Sequence, residues 1–436
     1  MSNSRKRFAS DCSDLCNSRE QKRLHLIRSH PLGIKPWGNY YFDYTNSSNN
    51  NIKGDCRSPG LGKLAVLTDE LLLEIFGLLS HRDLLNLQVT SRVLYCFAFF
   101  DDLWKTLVFE RFKGNWQWRG NWRQTFLGKY YYHRDAYLSG INSVFSTISV
   151  VRLDNFYSDV LFQPFLCATT PMDEFIGKES IDRRANLSMD TFITEYAKPN
   201  KPVIITDVVT KWPAYKKWSM DYLVEKWGDV MFRAEAVDIK LREYARYAAN
   251  NMDESPLYLF DKNFAKKCYG IENDYSVPEY FAEDFFKVLD ENRPDYRWLI
   301  IGPSRAGSTF HKDPNLTSAW NAVITGSKKW IMYPPNILPP GVFTSDDEAE
   351  VTSPVSLMEW HLNFYKEAQK SQPRPLEGVC RSGEIIFVPN GWWHMVVNLE
   401  DSIAITQNFV GTHNLLNVLC FLRDKPDQIS GVFWKK

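Results

Sequence analysis

Three His-x-Asp pairs stand in this 436-residue sequence: His81 with Asp83, His133 with Asp135, and His311 with Asp313. Two such side chains share a metal ion only where the backbone sends both the same way. A strand does so, projecting residues i and i+2 from one face about 7 Å apart. Only His311 and Asp313 have strand-like surroundings, and a further imidazole, His394, opens a later strand behind the tight turn Pro389-Asn390-Gly391. Two imidazoles and one carboxylate leave three positions of an octahedral ion open, so that a ferrous ion could take a bidentate 2-oxo acid and O2 together. A structural zinc would instead close with four ligands, commonly cysteines, and none of the eight cysteines adjoins this trio. A hydrogen-bonded network of ordinary core side chains is the alternative for any one of the three; their combination argues for a site. Mn, Co and Ni also suit such ligands, so ligand type alone does not select iron.

The other two pairs are placed differently. His81 and Asp83 fall at the start of a helical stretch, where i and i+2 side chains diverge and Asp83 completes a capping pattern with Ser80. The string HRDLL there mimics a kinase catalytic loop, but Gln88 replaces the required Asn and no D-F-G follows. His133 and Asp135 lie in YYYHRDAY without a third ligand at a recognisable turn, and read as surface polar residues.

The elements that must carry these groups are visible in the apolar periodicity. Leu67, Leu71, Leu72, Ile75, Phe76 and Leu79 recur at helical spacing behind Thr68, an N-cap with Asp69 and Glu70 in the first turn. A second helix starts at Ser80 and carries Leu84, Leu85 and Leu87, and a third runs from Ser91. So small a helical core is marginal alone and favours a partner surface. Beyond residue 170 the pattern changes to short runs rich in Val, Ile, Phe and Trp: 201–209, 297–302, 328–335, 383–389, 394–399 and 402–410. Helical segments at 219–228 and around 279–290 precede the later strands, which predicts a mainly β fold with helical additions rather than a parallel βαβ sheet. The expected organisation is a disordered tail at 1–60 with an aromatic patch at Trp37, Tyr40, Tyr41 and Phe42, a helical module at 61–112, a linking or helical connection at 113–170, a β domain at 171–425 and a tail at 426–436.

Composition narrows the class. Apolar residues make up 44%, enough for a sizeable core, while Lys plus Arg and Asp plus Glu each total 52. With no net charge, neither nucleic acid nor an anionic membrane is implied as a partner. The scattered cysteines predict reduced thiols. No stretch approaches the roughly 20 uncharged apolar residues of a membrane span, so a soluble protein of the nucleus, the cytoplasm or both is expected. Arg5, Lys6, Arg7, Lys22 and Arg23 form basic clusters compatible with nuclear import or with a plain solvated tail.

Two segments carry family resemblances. The string LTDELLLEIFGLLSHRDLLNLQVTSRVLYCFAFFDDLWKTLVFERF, within 64–112, resembles an F-box, with Thr68 where that family often has Pro. The resemblance implies docking to a Skp-type adaptor of a cullin ubiquitin ligase; a helical brace for the next domain is the plainer alternative. The segments GPSRAGSTFHKDPNLTSAWNAVITGSKKW (302–330) and GEIIFVPNGWWHMVVNLEDSIAITQNFV (383–410) closely resemble the Jumonji-C oxygenases. Within these they are most similar to the phosphatidylserine-receptor-like branch, whose members hydroxylate protein lysines and are also described as arginine demethylases. SPLYLFD (255–261) and DYRWLIIGP (295–303) fit the same branch, and the likeness runs from about 170 to 415.

The resemblance implies a double-stranded β-helix of the jelly-roll or cupin-like kind, with Fe(II), 2-oxoglutarate and O2. His311, Asp313 and His394 match the iron ligands, and Lys328 the cation that holds the distal carboxylate of 2-oxoglutarate. Tyr258, Asn321 and Thr406 match co-substrate contacts, and Ser308 stands where the branch commonly has Thr. Trp320, Trp330, Trp392 and Trp393 are expected to wall the site. The implied reaction is hydroxylation, or oxidative demethylation, of a lysine or arginine side chain in a protein substrate. A substrate adaptor for ubiquitin ligation, whose Jumonji-C domain mainly recognises a partner, is the second reading.

Overall fold

The computed structural model describes residues 28–40, 54–132 and 151–431. The chain divides into two compact units, one of residues 1–108 with 121–170 and the other of residues 109–120 with 171–436.

In the first unit the helix Asp69–Gly77 begins where Thr68 accepts a hydrogen bond from the Leu71 amide. The next helix, His81–Thr90, is capped by Ser80, which accepts from the Asp83 amide and donates to the Asp83 carboxylate. Ser91 caps the third, Arg92–Ala98. Leu72, Phe76, Leu84, Val93, Phe97 and Trp104 are buried, and the Trp104 indole donates to the Ala98 carbonyl at 2.9 Å. Asp69 is buried too, held by Arg57 at 2.9 Å and by the Ser158 hydroxyl at 2.6 Å.

The connection expected at 113–170 divides: 113–120 goes with the second unit and 121–170 with the first. The physical reason is apolar burial, since the helices Trp122–Tyr132 and Asp159–Thr169 bury Trp122, Phe126, Leu161 and Phe162. Two described segments of the expected N-terminal tail are also built in. Strand β1 (Ile34–Lys35) pairs in parallel with β2 (Phe156–Tyr157), and the Trp37 and Tyr40 rings lie against Tyr157. The basic clusters, Tyr41, Phe42, Cys12, Cys16, and the pair His133 and Asp135 lie outside the described residues. The described cysteines are free thiols, and among the described residues no helix is long and apolar enough to cross a membrane.

The second unit is built on two sheets. The larger has the order β3 (Asp182–Arg184), β4 (Val203–Ile205), β15 (Ile385–Val388), β10 (Ser318–Thr325), β17 (Ser402–Phe409), β8 (Arg297–Gly302), β7 (Leu259–Asp261), β5 (Met231–Ala234) and β6 (Val237–Lys240). The smaller has β14 (Leu376–Arg381), β11 (Ser327–Tyr333), β16 (Trp393–Asn398) and β9 (Gly307–His311). A short hairpin, β12 (Phe343–Thr344) with β13 (Val351–Thr352), lies between β11 and β14 in sequence. Strands β8, β9, β10 and β11 alternate between the sheets, as do β14, β15, β16 and β17, and every pairing within the eight is antiparallel. That is the double-stranded β-helix the resemblance implied.

Between the sheets lies one apolar cluster drawn from both: Ala319, Val323, Ile386 and Val388 from the larger, Trp330, Met332, Cys380 and Val396 from the smaller. Because successive strand residues point to opposite faces, this cluster fixes which parity of each strand faces the barrel interior. On β11 it is Lys328, Trp330 and Met332; on β16 it is His394, Val396 and Asn398, their register partners.

Candidate metal centre and co-substrate pocket

His311 and His394 are direct register partners on β9 and β16, with ring centroids 4.2 Å apart. The trio His311, Asp313 and His394 offers ligand atoms that all lie within 4.8 Å of one another. Each imidazole is oriented by its own strand. His311 Nδ1 donates to the Thr309 carbonyl at 2.7 Å and His394 Nδ1 to the Trp392 carbonyl at 3.0 Å. Carbonyls only accept, so the protons sit on Nδ1 and both Nε2 lone pairs are left bare. Burial, then the neighbouring His311, holds the His394 pKa well below the ordinary histidine value, so the ring is the neutral donor a metal requires.

Asp313 supplies the charge. Its Oδ2 is out of contact with solvent and has no hydrogen-bond partner among the described residues, and burial raises its pKa, partly offset by His311 and by a hydrogen bond from Asn408. A buried carboxylate oxygen without a donor is costly unless a cation completes it. Two bare imidazole nitrogens and one orphaned carboxylate oxygen therefore fit a divalent ion, and they leave part of its coordination sphere to other ligands.

A departure from regular pairing brings Ser308 to the same side. His394 pairs with His311 but Val396 pairs with Ser308, so the register shifts by one between them. Ser308 lies three positions before His311, and an unbroken strand would turn them to opposite faces; the bulge returns both to the interior. Phe310, beside the bulge, packs outward on Tyr333 and Trp360.

Lys328 and Lys329 are both completely buried, with 0% exposure, yet their surroundings are opposite in kind. Lys329 faces away from the barrel interior and is neutralised by Glu377 at 2.8 Å, with further bonds to the Ile176 and Lys178 carbonyls. Lys328 faces inward, where its Nζ donates to the Tyr258 hydroxyl at 2.8 Å and to Asn398 Oδ1 at 2.7 Å, both neutral. Burial pulls the Lys328 pKa down to about 7. A cation so placed calls for an anion inside the barrel. Asn321 and Thr406 are register partners on β10 and β17. Asn321 Oδ1 is buried without a partner among the described residues, and the Thr406 hydroxyl donates to the Trp320 carbonyl at 2.8 Å. Their inward face matches the side of the barrel that Lys328 occupies.

The tryptophan walls need correction. Trp330 stacks on His394 at 5.8 Å, and Trp392 joins the interior cluster while its indole donates to the Asn200 carbonyl. Trp320 instead has the outward parity of β10 and packs on Trp212 and Phe281. Trp393 lies under the Lys312 ammonium, 4.8 Å from its ring, and Lys312 in turn pairs with Glu348 at 2.7 Å. Strand parity decides this: each sits one residue from an inward-facing polar group.

Two polar groups of the interior escaped the sequence reading. Asn398 contacts Lys328, and Asn408, two residues beyond Thr406 on the same face, donates to Thr317 Oγ1 at 2.8 Å beside Asp313. The available signal was parity, since each is a polar residue an even number of positions from a named site residue in a buried strand.

Residues 189–413 match the cupin-like domain family, and residues 69–110 match the F-box-like family. The chain is 47% identical over 396 residues to the arginine-specific demethylase JMJ22 of Arabidopsis thaliana, covering 91% of this chain and 76% of that one. It is 38% identical over 245 residues to the bifunctional arginine demethylase and lysyl-hydroxylase psr-1 of Caenorhabditis elegans, covering 53% of this chain and 60% of that one. With the 2-oxoglutarate and iron-dependent oxygenase JMJD4 of Gallus gallus the identity is 29% over 276 residues, 56% of this chain and 63% of the relative. The family match covers just over half of the chain, on the same strands that assemble the His-Asp-His trio, and this chain belongs to the cupin-like family in its Jumonji-C branch, with an F-box-like module N-terminal to the barrel.

Proposed function

We propose that this protein is an Fe(II)- and 2-oxoglutarate-dependent oxygenase that hydroxylates, or oxidatively demethylates, a lysine or arginine side chain of a protein substrate. The observation that carries the reading is the pairing, in one barrel, of a ligand trio with an orphaned carboxylate and a buried ammonium that has no anionic partner among the described residues. The names of the relatives support the substrate class.

His311, Asp313 and His394 would hold the iron, and Lys328 with Tyr258 would hold the distal carboxylate of 2-oxoglutarate. Bound together, the metal and co-substrate supply O2 activation coupled to the decarboxylation of 2-oxoglutarate to succinate. The protein's own residues do the rest. The Thr309 and Trp392 carbonyls lock the two imidazoles in the tautomer that presents Nε2. Trp330 covers one face of His394 and, with Met332 and Val396, keeps water from that side of the centre. Lys328 fixes one end of the co-substrate so that its 2-oxo acid end meets the metal in one orientation. The purified protein with Fe(II) and 2-oxoglutarate is expected to form succinate, and His311→Ala to stop it; succinate formed equally by His311→Ala would refute the assignment.

The F-box-like module supports a second role, adaptor binding. Leu71 and Ile75 on the helix Asp69–Gly77 are 44% and 43% exposed, whereas Leu72 and Phe76 of the same helix are buried. We propose that this face docks a Skp-type adaptor, and that the protein works in the nucleus, the cytoplasm or both.

A further inference from the structure

Asn398 belongs to the last residue of β16, four positions beyond His394 and on the same face. Its side chain is completely buried and has both ends committed. Oδ1 accepts from Lys328 Nζ at 2.7 Å, while Nδ2 donates to the Gly302 and Pro303 carbonyls, each at 3.2 Å. Its main chain is held by the same loop, the amide donating to the Ala306 carbonyl and the carbonyl accepting from the Arg305 amide, both at 2.8 Å. The amide therefore has one orientation. Turned over, it would set its NH2 against an ammonium and its oxygen against two carbonyls.

Room for this arrangement comes from Gly302. A Cβ there would stand 2.6 Å from the Tyr258 ring and 2.7 Å from Asn398 Nδ2. The loop thus gives up a side chain on β8 so that Tyr258 and Asn398 can close on Lys328 from two sides. Both are neutral. A carboxylate at position 398 would give Lys328 the ion pair that Glu377 gives Lys329, and its charge would then be spent inside the protein.

We propose that Asn398 is a positioning residue that aims Lys328 into the barrel without neutralising it, and thereby sets the preference for a dicarboxylate over a monocarboxylate 2-oxo acid. This rests on the assignment of Lys328 to the co-substrate. Two of the three ammonium donors go to fixed neutral acceptors, so the third and the net charge remain for the ligand.

The test is calorimetric binding of 2-oxoglutarate and of 2-oxopentanoate, which lacks the distal carboxylate, to the full-length protein loaded with redox-inert Mn(II). Mn(II) affinity is measured on the same samples. Failure of the wild-type protein to bind 2-oxoglutarate would overturn the proposed function itself. Given wild-type binding, Asn398→Ala is expected to weaken 2-oxoglutarate by about tenfold or more, the loss of one hydrogen bond to a charged group, with Mn(II) affinity unchanged. Asn398→Asp is expected to weaken 2-oxoglutarate further while leaving 2-oxopentanoate within a few-fold of wild type, so that selectivity collapses. Asn398→Ser, which restores an acceptor, should recover part of the loss. Unchanged 2-oxoglutarate binding in Asn398→Ala would overturn the inference. So would a parallel loss of Mn(II) binding in both the Ala and Ser variants, which would make Asn398 a residue of the fold alone.

Discussion

Raising the pH from about 7 to about 8.5 should weaken 2-oxoglutarate binding to the Mn(II)-loaded protein roughly 15-fold. Burial lowers the Lys328 pKa to about 7, and its side-chain hydrogen-bond partners among the described residues, Tyr258 and Asn398, are neutral. The co-substrate carboxylate needs the ammonium form. Beside that anion the lysine pKa rises, so binding takes up a proton and affinity falls as the free lysine deprotonates. The protonated fraction drops from about one half to about 3% over this interval, a ratio of roughly 15, or about 1.6 kcal/mol. Nearby groups do not confuse the window. Burial pushes the Tyr258 hydroxyl and the Cys380 thiol, the register partner of Lys328 on β14, well upward, so both stay neutral. Calorimetry in buffers of different ionisation enthalpy would read both affinity and proton uptake, and Lys328→Arg should abolish the pH dependence whatever its affinity. Equal affinity at both pH values in the wild-type protein, with no proton uptake, would refute the reasoning.

Chemical denaturation without metal should separate the two adjacent lysines. Lys329→Met strands the buried Glu377 carboxylate and is expected to cost about 3–5 kcal/mol, whereas Lys328→Met removes an uncompensated cation and should leave stability unchanged or higher. Asp313→Ala should abolish Mn(II) binding by calorimetry yet leave the metal-free fold as stable or up to about 2 kcal/mol more stable, because the orphaned Oδ2 is removed; a clear loss of metal-free stability would contradict that account. Leu71→Glu with Ile75→Glu should eliminate co-purification of a Skp-type adaptor without lowering Tm, while Leu72→Glu, at a fully buried position, should unfold the module. Retention of the adaptor by the double variant would sink the docking-face assignment.

Local chemistry was readable from the sequence wherever it is written in consecutive residues. The run 297–302 matches β8, and the runs at 328–335, 383–389, 394–399 and 402–410 contain β11, β15, β16 and β17 to within a few residues. Thr68 and Ser80 cap the helices their spacing predicted. What escaped depends on register between distant strands. The one-residue shift in β9 is invisible in GSTFH itself and exists only because β16 pairs with it. Trp320 and Trp393 look like site residues by proximity in sequence, but the opposing sheet decides which parity is inside. Residues 113–170 were expected only as a linking or helical connection, and the helices Trp122–Tyr132 and Asp159–Thr169 are marked by what they bury.

Lys328 and Lys329 show why parity is also where function and stability part. Neither charge can be removed by solvent, and a shift of β11 by one residue would exchange their surroundings. In the observed register the outward lysine meets Glu377 and two carbonyls, so its burial is compensated and it ties the segment before β3 to the barrel. The inward lysine meets a phenol and an amide, so its charge is buried without compensation. The same contrast holds at the metal centre, where Asp313 keeps an unpartnered oxygen although Asn408 lies beside it. A buried charge thus lacks full compensation at each of the two places, cationic at Lys328 and anionic at Asp313. A ligand that carries a carboxylate to Lys328 while a metal satisfies Asp313 completes both at once, so metal and co-substrate binding should be energetically coupled: Mn(II) is expected to tighten 2-oxoglutarate binding, and 2-oxoglutarate to tighten Mn(II) by the same factor. A 2-oxoglutarate affinity that is the same with and without Mn(II) would refute this coupling.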